Sequence, residues 1–202
     1  YVYEYRKKRY SIHLDDKILT SWNALMIAAM CKLYRITGNV LYLDTAKRAQ
    51  TFITNNLCEN NTLYISYRNG HKSKKGFLDD YAYEIYALLS LYESTLDKTY
   101  LNKAIQFCKK AVSNFYDKDN GGFFLYGDEN EQLILRPKET YDGAIFSGNY
   151  IDNAKIGNIC GCSRFSFSRE WGPNRRMHFC RRAAVSAGSK NSRCRVPQRP
   201  FL

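Results

Sequence analysis

The amino-acid sequence predicts a mainly α fold: a partial (α/α) toroid of helical hairpins with short β-hairpins in the rim loops, followed by an irregular basic tail. Three observations carry this. "KLYRITGNVLYLDTAKRAQTFITNNL" aligns without gaps on "SLYESTLDKTYLNKAIQFCKKAVSNF", so that Leu33, Tyr34, Thr37, Tyr42, Leu43 and Ala46 recur 58 residues later as Leu91, Tyr92, Thr95, Tyr100, Leu101 and Ala104. The first helix of each copy, Trp22–Tyr34 and Tyr81–Tyr92, is apolar around most of its circumference and must be covered on both sides. The second helix of each copy has one wet face. Leu101, Ala104, Phe107, Cys108, Ala111, Val112 and Phe115 form a stripe opposite Lys103, Gln106, Lys109 and Lys110. A ring with first helices inside and second helices outside meets these demands, and a superhelical solenoid of stacked pairs is the competing solution.

The elements follow in order. Hairpin repeats are expected over about 20–57 and 78–115, inside a domain spanning 1–149. Each copy turns near Gly38-Asn39 or Asp97-Lys98. Between the copies, Leu63–Tyr67 reads as a short strand followed by an Asn-Gly turn. Asn60-Asn61-Thr62 matches a glycosylation sequon but reads as a turn. After the second copy, "DKDNGGFFLYGDENEQLILRPKE" reads as another small hairpin. These loops are expected at one rim, where the inner helices begin and where repeat folds commonly bind.

Charge is unevenly placed. The chain carries a net +12 over 202 residues, but residues 1–149 hold 20 Lys+Arg against 17 Asp+Glu, whereas residues 150–202 hold 11 against 2. Nucleic-acid binding by the main domain is therefore not expected. The tail lacks helical or strand periodicity. It reads as a nucleic-acid arm, as a zinc knuckle built on Cys160, Cys162, His178 and Cys180, or as a disordered or out-of-frame sequence, the favoured reading. The chain begins at Tyr1 rather than Met and reads as a fragment. The longest apolar run, "ALMIAAMC", is far short of the roughly 20 residues a membrane span needs. With Cys31, Cys58 and Cys108 read as reduced core residues and no signal peptide, a cytoplasmic location is expected.

Several polar groups stand where the rim should be. Asp79-Asp80 opens the second inner helix. N-capping explains one Asp of the doublet better than both, and the other reading is a carboxylate facing the cavity as anchor or general acid/base. Asp15-Asp16 stands too far ahead of Trp22 to cap that helix, where Thr20 or Ser21 is the better cap. Trp22-Asn23 suits either sugar stacking or a satisfied core Trp. "RPKETYDGAIFSGN" gathers Lys138, Glu139, Asp142, Ser147 and Asn149, with Glu139 and Asp142 as candidate paired carboxylates and Ser147 or Asn149 as alternative caps of a third inner helix. Asp117, Asp119 and Gly122 echo the opening of a calcium loop, but Asp128 stands at the twelfth position, so turn chemistry is the expectation and no metal or cofactor is assigned.

"HLDDKILTSWNALMIAA", "GFLDDYAYEIYALLSLYE", "NGGFF" and "RPKETYDGAIFSGN", in this order, resemble the family of spermatogenesis-associated protein 20 and its bacterial and archaeal relatives (the YyaL family). Members of that family join a thioredoxin-like domain to a C-terminal (α/α) toroid similar to N-acylglucosamine 2-epimerases and six-hairpin glycosidases. The likeness covers about Tyr5 to Asn149. Ala24 replaces the usual Gly after Trp-Asn, and Phe146 the usual Pro before Ser-Gly-Asn. The resemblance implies a fragment of the toroid whose pocket carries Asp15, Asp16, Trp22, Asn23, Asp79, Asp80, Tyr81, Glu139, Asp142, Ser147 and Asn149. Sugar epimerases of similar fold use paired histidines on inner helices, and neither His13 nor His71 lies on one.

The functional expectation is a sugar-binding or carbohydrate-active domain, glycosidase- or epimerase-like if it is an enzyme. Asp79, Asp80, Glu139 and Asp142 are its catalytic candidates, and Asp15, Asp16, Trp22, Asn23, Tyr81, Ser147 and Asn149 would contact substrate. The alternative is a non-catalytic scaffold that binds a partner or metabolite for the thioredoxin-like module. A basic-tail nucleic-acid binder ranks third, and no membrane partner is expected.

Overall fold

The computed structural model describes residues 1–10, 14–131, 134–141, 143 and 145–151. The expectations for residues 152–202, including the zinc and nucleic-acid readings, and those for His13 and Asp142 lie outside the described residues.

Helix α1 (Val2–Lys7), which no periodicity announces, buries none of its residues. Strand β1 (Ile18–Leu19) leads into α2 (Thr20–Thr37) and α3 (Val40–Asn56). Four short strands follow, β2 (Cys58–Glu59), β3 (Thr62–Leu63), β4 (Ser66–Arg68) and β5 (His71–Lys72), before α4 (Leu78–Thr95), α5 (Lys98–Phe115) and a final turn of helix, α6 (Gly148–Ile151). The fold is mainly helical, as expected. Helices α2 and α4 begin and end at positions 58 apart, and so do the starts of α3 and α5.

The repeat extends to the caps. Asn39 caps α3 by accepting from Leu41 N at 3.0 Å, and Asp97 caps α5 by accepting from Thr99 N at 2.9 Å. Helix α2 closes on Gly38 in the left-handed conformation, φ 70°, with its N–H on Tyr34 O. The equivalent closing residue of α4 is Leu96, φ 57°, with its N–H on Tyr92 O. A side chain with a Cβ is strained in that region, whereas glycine is not.

Helix α4 is the centre of the structure. It packs on α2 along one side, on α6 at its start along the other, and on α5 behind, while α3 packs behind α2. Twelve of its residues are buried, from Leu78 to Leu91. Tyr81 stands against Phe107 and Phe115 of α5 with ring centroids 6.1 and 5.4 Å apart. At the far end, Arg35 of α2 pairs with Glu93 of α4 at 2.6 Å. An inner row of α2, α4 and α6 backed by α3 and α5 accounts for the two kinds of helix in the sequence.

Helix α2 is covered on one side only. Ala24, Ile27, Ala28 and Cys31 are buried, whereas Trp22, Met26 and Leu33, on the opposite face, are 62%, 56% and 40% exposed. One repeat later, the positions equivalent to Trp22, Met26 and Leu33 are Asp80, Glu84 and Leu91, all buried. The apolar face left open is thus the one whose counterpart on α4 is covered.

The linker between the hairpins forms two small antiparallel units. Cys58 pairs with Leu63 and Glu59 with Thr62 across a turn in which Asn60 and Asn61 both have positive φ, the backbone of a tight hairpin turn. Ile18 pairs with Tyr67, Leu19 with Ser66, and Arg68 with His71 across the expected Asn69-Gly70 turn. The strand expected over Leu63–Tyr67 is split at Tyr64-Ile65, where the Ile65 carbonyl accepts from Thr20 N at the start of α2. The second rim hairpin is corrected to a single bridge, Tyr116 to Phe123, among the described residues. There Gly121 and Gly122 turn the chain, and scattered backbone bonds such as Phe124 N to Phe115 O and Leu125 N to Pro137 O, together with side chains, hold the segment. Cys31 and Cys58 are free thiols. Among the described residues no helix is long and apolar enough to cross a membrane.

The strain at Leu96 makes a prediction. Its side chain is 76% exposed and contributes little to packing. Leu96→Gly is expected to stabilise the chain by about 1 kcal/mol through relief of the left-handed conformation, measured as a rise in the midpoint of chemical denaturation.

Candidate functional site at the start of the inner helices

Neither α2 nor α4 carries a capping residue of its own. The N-cap positions are Leu19 and Phe77, and neither makes a side-chain cap bond. The orphan N–H groups of the first turns must find acceptors elsewhere. Asp80, at the third position of α4, reaches back to Phe77 N at 2.9 Å, and Ser21 in the first turn of α2 stands near enough to lower its pKa. Asp79 points the other way, and its Oδ1 accepts from Gly148 N at 2.8 Å, the first residue of α6. The doublet therefore caps two helix starts, Asp80 that of α4 and Asp79 that of α6, with Ser21 of α2 beside Asp80. The favourable position of negative charge at a helix N-terminus adds to each contact.

The two carboxyls differ in environment. Asp80 is 3% exposed. Burial pushes its pKa up to about 7, against the pull of the Phe77 and Ser21 hydrogen bonds and with the Asp79 charge adding to the rise. Asp79 is half-buried. Burial raises its pKa, the Gly148 N–H opposes the rise, and the charge of Glu139 reinforces it. Asp79 so keeps one oxygen on backbone while the other has no hydrogen-bond partner among the described residues, beside an exposed glutamate.

The segment carrying Glu139 is pinned by its two cations. Lys138 Nζ contacts Asp117 Oδ2 at 2.5 Å and Gly121 O at 2.7 Å, and stands 4.9 Å from the centre of the Phe124 ring. Arg136 lies 4.3 Å from the same ring and bonds Asp128 Oδ1 and Tyr126 O, both at 2.8 Å. The Lys138 ammonium draws the Asp117 carboxyl well below the usual range, helped by the Asn120 and Asp119 N–H groups. In the calcium-like stretch a lysine thus occupies the place of a cation. No cluster of metal-ligating side chains occurs among the described residues.

The other candidates divide. Asn149 is buried and exchanges hydrogen bonds with both the N–H and the carbonyl of Phe123, and it donates to Glu139 O at 2.8 Å. Ser147 is buried beside it. Tyr83, which the sequence reading passed over, donates from its hydroxyl to Phe146 O. These groups are brought together with Asp79 and Glu139. Tyr81 is turned toward α5, where its hydroxyl accepts from Leu63 N at 3.1 Å. Asn23 donates to Leu19 O at 2.7 Å in its own first turn. Trp22 projects from the open face of α2. Asp15 pairs with Lys17 at 3.3 Å and Asp16 with Arg68, both at the exposed β1–β4 edge. Sequence reasoning also missed Glu84 and Gln50, buried between α3 and α4, because a lone acid inside an apolar run carries no motif.

No family model matches the chain. The chain is homologous to spermatogenesis-associated protein 20. It is 29% identical to the human protein over 185 residues, covering 84% of this chain and 23% of that one. It is 35% identical to an uncharacterised Caenorhabditis elegans protein over 147 residues, covering 69% of this chain and 20% of the relative. The chain thus spans about a fifth of the length of the curated relatives it matches. Among solved structures it is similar to a D-mannose isomerase, with a TM-score of 0.58 at 15% identity over 72% of this chain and 38% of that one. It is similar to cellobiose 2-epimerase from Spirochaeta thermophila, with a TM-score of 0.57 at 15% identity over 72% of this chain and 39% of that one. A GH76 α-mannanase from Bacteroides thetaiotaomicron matches at a TM-score of 0.52 and 25% identity over 57% of this chain and 33% of that one. These likenesses show an (α/α)-toroid fold.

The cap bond at α6 leaves no room for a side chain at Gly148. A Cβ there would lie 2.5 Å from Asp79 Oδ1 and 3.0 Å from Leu78 Cγ. Gly148→Ala is expected to break the Asp79 contact and to destabilise the chain by about 1–3 kcal/mol, read from equilibrium denaturation. Asp79→Asn, which keeps an acceptor for Gly148 N, is expected to cost less.

Proposed function

We propose that this homologue of spermatogenesis-associated protein 20, built on an (α/α)-toroid fold, binds a carbohydrate at the mouth of its inner helices, with Asp79 as the acid–base group. The observation that carries this reading is the state of the Asp79 carboxyl. It is half-buried and fixed by one oxygen to Gly148 N, it has its other oxygen uncommitted, and burial and Glu139 raise its affinity for a proton. Such a group delivers a proton to a sugar oxygen, and the nearby exposed Glu139 supplies the second carboxylate that glycoside chemistry requires. Asp142 stays a candidate on sequence grounds. The carbohydrate-active neighbours of the fold, an isomerase, an epimerase and a mannanase, support a sugar as the ligand class.

The second reading is a scaffold that serves the thioredoxin-like module the resemblance implies. It is favoured by the number of polar groups at the mouth that are already committed to backbone: Asp80, Asn149, Asn23 and the Tyr83 hydroxyl.

A panel of mono- and disaccharides, screened by thermal shift on the 202-residue chain, separates the two. A ligand at about a hundred times its Kd is expected to stabilise the folded chain by about 2.7 kcal/mol. Asp79→Asn and Glu139→Gln are expected to remove most of that shift while leaving the unliganded melt close to wild type. If no saccharide shifts the wild-type melt, the scaffold reading replaces the carbohydrate one.

A further inference from the structure

One turn below the cap of α4, the first and second hairpins meet through two polar side chains in an apolar seam. Gln50 of α3 and Glu84 of α4 are 4% and 1% exposed. Gln50 Nε2 donates to Glu84 Oε1. The two remaining oxygens, Gln50 Oε1 and Glu84 Oε2, are both buried without a hydrogen-bond partner. A buried acceptor without a donor is costly, and an ionised carboxylate supplies none. A single hydrogen on Glu84 Oε2 serves both orphans at once. The acid O–H donates to the amide oxygen while the amide N–H donates to the acid carbonyl, and the two groups close a ring in which each donates once and accepts once.

The pair is peculiar to this seam. Gln50 corresponds in the repeat to Cys108, and Glu84 corresponds to Met26, so neither partner recurs. The charged and titratable groups around Glu84 are Lys103 from α5, Asp80 one turn earlier on α4, and Cys58 of β2. Lys103 is engaged elsewhere, donating to Asn61 Oδ1 at 3.1 Å and standing 5.1 Å from the centre of the Phe107 ring.

We propose that folded Glu84 is a neutral carboxylic acid held in a cyclic two-hydrogen-bond pair with the Gln50 amide, and that this pair is a proton-dependent clasp between the hairpins. The inference stands apart from the carbohydrate reading. Burial pushes the Glu84 pKa up from 4.5 to about 7, against the pull of Gln50 and Lys103 and with Asp80 adding to the rise. The folded chain therefore keeps a proton that the unfolded chain releases. The clasp's contribution is complete below the unfolded value and falls about tenfold in the folding equilibrium per pH unit between the two values. It levels off once the folded carboxyl has ionised.

The test is Glu84→Gln in the full chain, because the new amide replaces the O–H donor with an N–H and keeps the ring at every pH. Denaturant titrations from about pH 5 to about pH 8 should show near-equal stability at the acid end and an advantage for the variant of about a hundredfold in folding equilibrium at the other. Asp80 titrates in both proteins, so its own ionisation largely cancels, and its repulsion of an ionised Glu84 adds to the variant's advantage at high pH. A ratio that stays constant across the range overturns the proposal, as it would if an ionised Glu84 shared a buried water with Gln50. A second measurement does not depend on the variant. At neutral pH a carbonyl band of a protonated carboxylic acid that moves on ¹³C-labelling of glutamate side chains should be present, distinct from the Asp80 band that moves on aspartate labelling, Glu84 being the buried glutamate among the described residues. Absence of a glutamate-sensitive band would equally reject the neutral acid.

Discussion

The start of a helix leaves backbone N–H groups that its own ladder does not use, and here two adjacent carboxylates meet that need for two helices. Because α2 and α4 enter through Leu19 and Phe77, neither is capped by its N-cap side chain, and the acceptors are Asp80 for Phe77 N and the rim-loop carbonyls of Ile65 for Thr20 N and Leu125 for Leu78 N. Asp80 closes the entry of α4 beside Ser21 of the helix before it, and Asp79 ties α4 to the helix after it. The spacing of the inner row at its mouth is therefore set by hydrogen bonds rather than by apolar contact alone. The same geometry leaves Asp79 with one oxygen unpartnered among the described residues, near the segment that carries Glu139.

That segment is positioned from the far side. Arg136 and Lys138 each stand against the Phe124 ring, and each also holds a carboxylate and backbone carbonyls of the 114–128 turn. Asn149 closes the arrangement by bonding Phe123 and Glu139 backbone together. A loop without a strand ladder is thereby held at several points, so that Glu139 stays near Asp79 while its side chain remains exposed. Deeper in the same seam, the burial of Asp80 and Glu84 in one helix raises both acids, and each is stabilised by its own hydrogen-bond donors rather than by a full counter-charge.

Much of the scaffold was legible in the residues. The offset of 58 located four helices, because an apolar run and an amphipathic run must fall on different layers wherever they occur. The Asn69-Gly70 turn was legible for the same local reason. The second rim hairpin was not, since alternating residues in "GFFLY" look like a strand until Phe124 is seen to lie between two cations. Among the site candidates, the Asp79-Asp80 doublet stood out by its position. Its division of labour did not, because the partner of Asp79 lies 69 residues away in the chain, at Gly148. Tyr81, Asn23, Asp15 and Asp16 looked equivalent to Asp79 on paper, and only the direction each side chain takes separates them.

What the chain determined by itself is periodicity and local conformation: which residues are helical, which helices need cover on both faces, where the turns fall. These depend on neighbours within a few positions. The tertiary structure decided which carboxyl keeps a free oxygen, which lysine occupies the cation's place, and which buried acid meets an amide. Those outcomes rest on contacts between residues far apart in sequence, where burial and the count of donors against acceptors, not pattern, set the chemistry.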